Sequence, residues 1–255
     1  MGIGERVSAT GLCAALYAIG SFLTSYIVSP FGRGQFRPAV VLPAIFSILY
    51  GPGVGGLGAA IGTVIADSMK HGALYLPSLL AAAPGNFIGF YIFGKLTRDF
   101  NWRKFSIASQ ISLWVGCATV AYLYTIVISL LGMLPPSLTP EDLFILGTSL
   151  TLWFFITEYP FVILLVPPIL RALKFRGELG GGPSWLSSLA IPGAVLLAIS
   201  LIITFTPASS EIMRGLILKL NPSYASSTLQ LIQLLFAGSG AAMTIAGFLL
   251  QVRRA

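Results

Sequence analysis

The chain has 255 residues, of which 56% are hydrophobic and only 9% charged, with a mean hydropathy of +0.89. A soluble domain carries about a quarter charged residues, so this composition excludes a water-soluble fold and points to an all-α, polytopic bundle of transmembrane helices. The formal net charge of +7 would suggest nucleic acid in a soluble protein, but here the basic residues fall between apolar segments, where they read as membrane topology.

About 20 apolar residues cross the hydrocarbon core. That ruler gives six clear spans, at about 7–29, 73–95, 106–132, 143–171, 186–207 and 227–251. The first leads into Ser29-Pro30-Phe31-Gly32 rather than a small-residue cleavage site, and is expected to be retained. Residues 38–67 are apolar but interrupted by Gly51-Pro52-Gly53, so they form either one broken span or a hairpin of two short ones. The hairpin, with eight spans, puts ten of the 15 basic residues inside; the single span puts eleven there. Loop charge therefore does not separate the two, although both make 96–105 and 172–183 cytoplasmic and turn 133–142 outward.

Gly180-Gly181-Gly182-Pro183 divides the chain into a core, residues 1–176, and a C-terminal transmembrane hairpin, 177–255. Between the last two spans, residues 208–226 mix Glu211, Arg214 and Lys219 with Ile212, Leu216, Ile217 and Leu220, the pattern of a short interfacial helix or of a solvated loop.

Two nucleotide-like motifs fail on context. Gly53-Val54-Gly55-Gly56-Leu57-Gly58 matches GxGxxG but lies in no βαβ unit, and Gly58, Gly62 and Ala66 instead form a small-residue face for helix packing. Gly89 to Gly94-Lys95 imitates a P-loop, yet Leu96 stands where a Ser or Thr should bind magnesium. An ATP-driven role would thus need a partner's ATPase. Cys13 and Cys117 both sit in apolar runs, and no residue set implies a metal or another cofactor.

Polar groups inside the spans are the functional candidates, because a charge in hydrocarbon costs several kcal/mol unless it is paired or wet. Glu158 is the sharpest, among Trp153, Phe154, Phe155, Tyr159 and Pro160. It reads as a ligand- or proton-facing group, or as a structural carboxyl hydrogen-bonded to the next helix. Asn86 reaches a similar depth, close enough for the two to meet. Asp67, Lys70 and His71 end the 54–68 segment; in the hairpin they face the loop of Arg33 and Arg37 as a charged rim, or form a solvated loop.

Ala14-Ala15-Leu16-Tyr17-Ala18-Ile19-Gly20, Phe36-Arg37-Pro38-Ala39-Val40-Val41-Leu42-Pro43 and Tyr50-Gly51-Pro52-Gly53-Val54-Gly55-Gly56-Leu57-Gly58 resemble the substrate-binding S components of energy-coupling-factor (ECF) transporters, over about residues 7–170. The resemblance implies six helices around an outward pocket capped by the loop after the first helix. It also implies a membrane coupling subunit with ATPase subunits as partners, docked on the AxxxA face of Ala14 and Ala18. It favours the hairpin and eight spans. A looser similarity runs to the sensory membrane domains that precede bacterial histidine kinases.

The expected function is a substrate-capture subunit of a micronutrient importer in the plasma membrane. Its ligand is anionic, and is met by Arg33, Arg37, Asn86, Trp153, Glu158 and Tyr159. The alternatives are a ligand-sensing or assembly module and a proton-coupled secondary transporter using Glu158. No acid and base pair suggests an enzyme.

Overall fold

In the computed structural model, which describes residues 2–175, 182–220 and 225–253, all regular structure is helical apart from one isolated bridge. The helices are α1 (Ile3–Thr24), α2 (Val41–Tyr50), α3 (Pro52–His71), α4 (Ala83–Leu96), α5 (Trp102–Leu130), α6 (Pro140–Ala172), α7 (Ile191–Phe205), α8 (Pro207–Leu220) and α9 (Ala225–Val252). Six apolar segments among the described residues are long enough to cross a membrane, and they correspond to the six spans read from the sequence.

The break at Gly51 is local chemistry. Gly51 closes α2 with φ of 96°, a left-handed value that costs a glycine little, and Pro52 opens α3 at a position where its missing N–H is no loss. The chain reverses there: Arg37, just ahead of the turn Pro38–Val40, pairs with Asp67 in the last turn of α3. Pro38–Tyr50 is shorter than a full span, at about 20 Å by helical rise. The hairpin therefore has one short arm and one of 20 residues.

Proline also shapes α4 and α7. Each is preceded by a π-helical turn, Ser78–Ala82 and Leu186–Ala190, and each carries Pro at its second residue, Pro84 and Pro192. A proline ring crowds the carbonyl four residues back and offers it no donor, and the wider π turn relieves both problems. At the other helix starts, Asn101 accepts from the Lys104 amide to cap α5, and Thr139 with Asp142 forms a capping box on α6.

Small residues set the helix spacing. A Cβ on Gly62 of α3 would lie 2.7 Å from the Ala14 carbonyl oxygen, and one on Gly89 of α4 would lie 3.1 Å from Gly116 Cα of α5. The predicted face of Gly58, Gly62 and Ala66 is thus where α1 packs, with all three residues buried. Longest and most enclosed is α6, which supplies Leu146, Leu150, Ile163, Val166 and Leu170 to the core.

The C-terminal helices pack on α5 and α6 rather than standing apart. Ser188 donates to Ser106 Oγ at 2.6 Å and accepts from the Tyr159 hydroxyl, while Lys219 of α8 pairs with Asp142 of α6. Met213, Leu216 and Ile217 of α8 are buried in the core that α6 builds, so the segment read as interfacial or solvated is a packed amphipathic helix. Of the proposed glycine boundary, residues 180 and 181 lie outside the described residues, as do Arg176 and residues 221–224.

Candidate functional site

The loop between α1 and α2 folds as a small antiparallel hairpin. Val28 bridges Gln35, the Ser29 amide donates to the Gly34 carbonyl at 3.1 Å, and the Phe36 amide donates to the Ile27 carbonyl at 2.8 Å. Gly34 has φ of +76°, and a Cβ there would lie 2.8 Å from the Phe154 ring, so both conformation and contact select glycine. The hairpin is sunk into the bundle: Ser29, Phe31 and Arg37 are buried, and Phe36 packs edge-on against Phe161 at 5.5 Å.

Beneath it lies a small cavity of about 50 Å³. Gly34, Gln35 and Arg37 reach it from the loop before α2, Asp67 from α3, Tyr75, Ser78, Ala82 and Asn86 from the stretch leading into and forming α4, Cys117, Val120 and Tyr124 from α5, and Phe154 and Glu158 from α6. The spacings follow the helical period: 78, 82 and 86 on one stripe, 117, 120 and 124 on a second, 154 and 158 on a third. Counting rise from the start of the 33-residue α6, Glu158 is about 27 Å along that helix, near its middle.

Arg37 and Asp67 form a buried ion pair, with side-chain exposures of 10% and 4%, and Arg37 also donates to Gln35 Oε1 at 3.3 Å. Asn86 Nδ2 donates to Thr63 Oγ1 at 2.7 Å, leaving its carbonyl oxygen free of that bond. The Tyr75 and Tyr124 hydroxyls are 3.1 Å apart. The Cys117 thiol donates to Glu158 Oε2 at 3.6 Å, a weak bond. Tyr17 is fully buried within electrostatic reach of Arg37 and Glu158.

Of the residues picked from the sequence, Arg37, Asn86 and Glu158 meet at this cavity. Asn86 and Glu158 share it without bonding each other, since Asn86 turns to Thr63. Arg33 is elsewhere: it donates to the Met133 carbonyl at 2.8 Å and lines an outer depression with Phe31, Met133 and Leu220. Trp153 and Tyr159 are buried but do not line the cavity, because neighbours of Phe154 and Glu158 in sequence point about 100° away around the helix. Tyr159 bonds the Ser188 carbonyl instead.

The charged rim of Asp67, Lys70 and His71 is present but divided. Asp67 takes Arg37, Lys70 Nζ donates to the Ser25 carbonyl at 2.5 Å, and the His71 ring stacks on Tyr75 at 3.8 Å. Gln35, Tyr75, Cys117, Tyr124 and Phe154 were not singled out as ligand-facing. The available signal was the shared helical stripe of Cys117 with Tyr124, which an apolar run conceals.

Ala14 and Ala18 are buried within the bundle. Each is only 3% exposed, because α3 covers them at Gly58 and Gly62. The outer face of α1 carries different small residues, Gly4, Ser8, Gly11 and Ala15, all exposed.

An all-helical bundle of membrane-spanning length, with a polar cavity under an inter-helix cap, defines a multi-pass membrane protein. A family model described as "ECF-type riboflavin transporter, S component" matches residues 4–173, and the chain belongs to that family. It is therefore a substrate-binding membrane subunit of an ECF transporter, a class of transport proteins rather than of enzymes. Curated relatives include a UPF0397 protein of Streptococcus agalactiae, 33% identical over 125 residues, which are 46% of this chain and 67% of the relative. Another, from Streptococcus thermophilus, is 35% identical over 116 residues, 45% of this chain and 60% of the relative. No solved structure matches the chain.

Proposed function

We propose that the chain captures a vitamin-like small molecule at the outer face of the plasma membrane and hands it to a membrane coupling subunit driven by ATPase partners. The observation that carries this reading is the capped polar cavity built by Arg37, Asp67, Asn86 and Glu158 within a member of the S-component family. The family description names riboflavin, a flat heterocycle, and the cavity's Tyr75, Tyr124 and Phe154 suit a flat ring. Arg37, Asn86 and Glu158 would contact the ligand, and residues 28–37 would act as its lid. Residues 1–176 would form the capture core, with 177–255 as an appended hairpin.

Docking is assigned to the exposed small-residue stripe of α1 in place of Ala14 and Ala18. Small side chains let two helix backbones approach closely, and Gly11 has no atom within 4 Å of a Cβ built on it, so that side is open to a second helix. Purification in mild detergent should recover a coupling protein and an ATPase with the wild-type chain. Gly11→Leu with Ala15→Leu should lose both while leaving thermal stability unchanged. Recovery of neither partner with the wild type, under conditions that preserve such complexes, overturns the importer reading.

A further inference from the structure

The ionisable side chains that line the cavity are unevenly paired. Arg37 and Asp67 neutralise each other through a buried pair, and the nearby cations Arg33 and Lys70 are held on the carbonyls of Met133 and Ser25. Glu158 is left over. Among the described residues its hydrogen-bond partner is the Cys117 thiol at 3.6 Å, a poor donor, and no Lys, Arg or His forms an ion pair with it. A buried carboxylate with so little compensation is costly unless it takes up a proton or a ligand supplies the missing donors. Phe154, Tyr124 and Tyr75 line the same cavity, and aromatic rings attract a cation through their quadrupoles.

The geometry points to a flat cationic nitrogen base of the amidinium type as the class of ligand, its N–H groups directed at Glu158 and its ring against the aromatic wall. This rests on the substrate-capture reading and replaces the anionic ligand expected from Arg33 and Arg37: Arg37 is paired with Asp67, and Arg33 lines a separate outer depression. Two parallel N–H donors on one carboxylate give the short, strong, directional bonds of a bidentate pair.

Three probes of one shape and different charge test it on the purified full chain: benzamidine, benzamide and benzoate, each read by the ligand-induced rise in thermal stability. The expected order is benzamidine first, with an apparent affinity about tenfold above benzamide, and benzoate without effect. Glu158→Gln, close in shape, should erase the advantage of benzamidine over benzamide. Benzoate matching or exceeding benzamidine, three equal responses or none, or an advantage that survives Glu158→Gln in a folded variant would each overturn the assignment. The wild-type ranking requires no variant, so a misfolded Glu158→Gln does not protect it. Failure here with coupling proteins still recovered removes the charge assignment and leaves the capture reading; loss of those partners removes the capture reading itself.

Discussion

Arg37 and Asp67 show how much one residue's meaning depends on its partner. Sequence placed an arginine loop opposite an acidic helix end, which was legible because both are polar interruptions of apolar runs. It did not place one inside the other's reach with both desolvated, and that converts a rim charge into a structural clamp holding the lid to α3. Removing either member strands a buried charge, at a cost of about 3–5 kcal/mol. Asp67→Leu and Arg37→Met should therefore each lower the midpoint of thermal unfolding in detergent. The double variant Arg37→Met with Asp67→Leu should recover most of that loss, because neither charge is then left unpaired. Equal, additive losses would mean that the two side chains act independently. Gly34 belongs to the same scale: Gly34→Ala should lift the hairpin off Phe154, raising its protease sensitivity while the bundle stays folded.

At the scale of elements, the helix breaks were legible and the helix partners were not. Gly51-Pro52 marks its turn by backbone chemistry alone. A stripe of small residues, by contrast, says that something approaches but not what. Ala14 and Ala18 and the pair Gly11 and Ala15 have the same spacing, yet α3 covers the first pair and leaves the second exposed. Two glycine substitutions separate these faces. Gly62→Ala would put its methyl carbon 2.7 Å from a backbone oxygen of α1 and should destabilise the protein by about 1–3 kcal/mol, the usual range for overpacking. Gly11→Ala meets nothing within 4 Å and should be neutral or stabilising by up to about 1 kcal/mol through helix propensity. Thermal unfolding of the two variants side by side reads the difference.

For the whole molecule, sidedness decides function, and the arrangement of ends makes it consistent. Arg6, Lys95, Arg98, Arg103, Lys104, Arg171, Lys174 and Arg253 gather at the end where α1 begins, α4 and α6 finish and α9 stops beside the start of α7, where Gln251 accepts from the Trp185 amide. The lid, Tyr75 and the start of α6 occupy the opposite end, so the positive-inside rule puts the cavity mouth outside the cell. Loop charge could not choose between seven and eight crossings, because moving the N-terminus exchanged one arginine for two; the reversal at Gly51, with Arg37 reaching Asp67, makes this stretch a hairpin rather than one continuous rod. The two native cysteines, Cys13 and Cys117, are buried and should give little background with a membrane-impermeant maleimide. Leu74→Cys, at a position 60% exposed between α3 and α4, should label in intact cells. Arg98→Cys, exposed between α4 and α5, should label only after the membrane is opened. The reverse pattern would turn the cavity toward the cytosol, where a ligand arriving from outside could not enter beneath the lid.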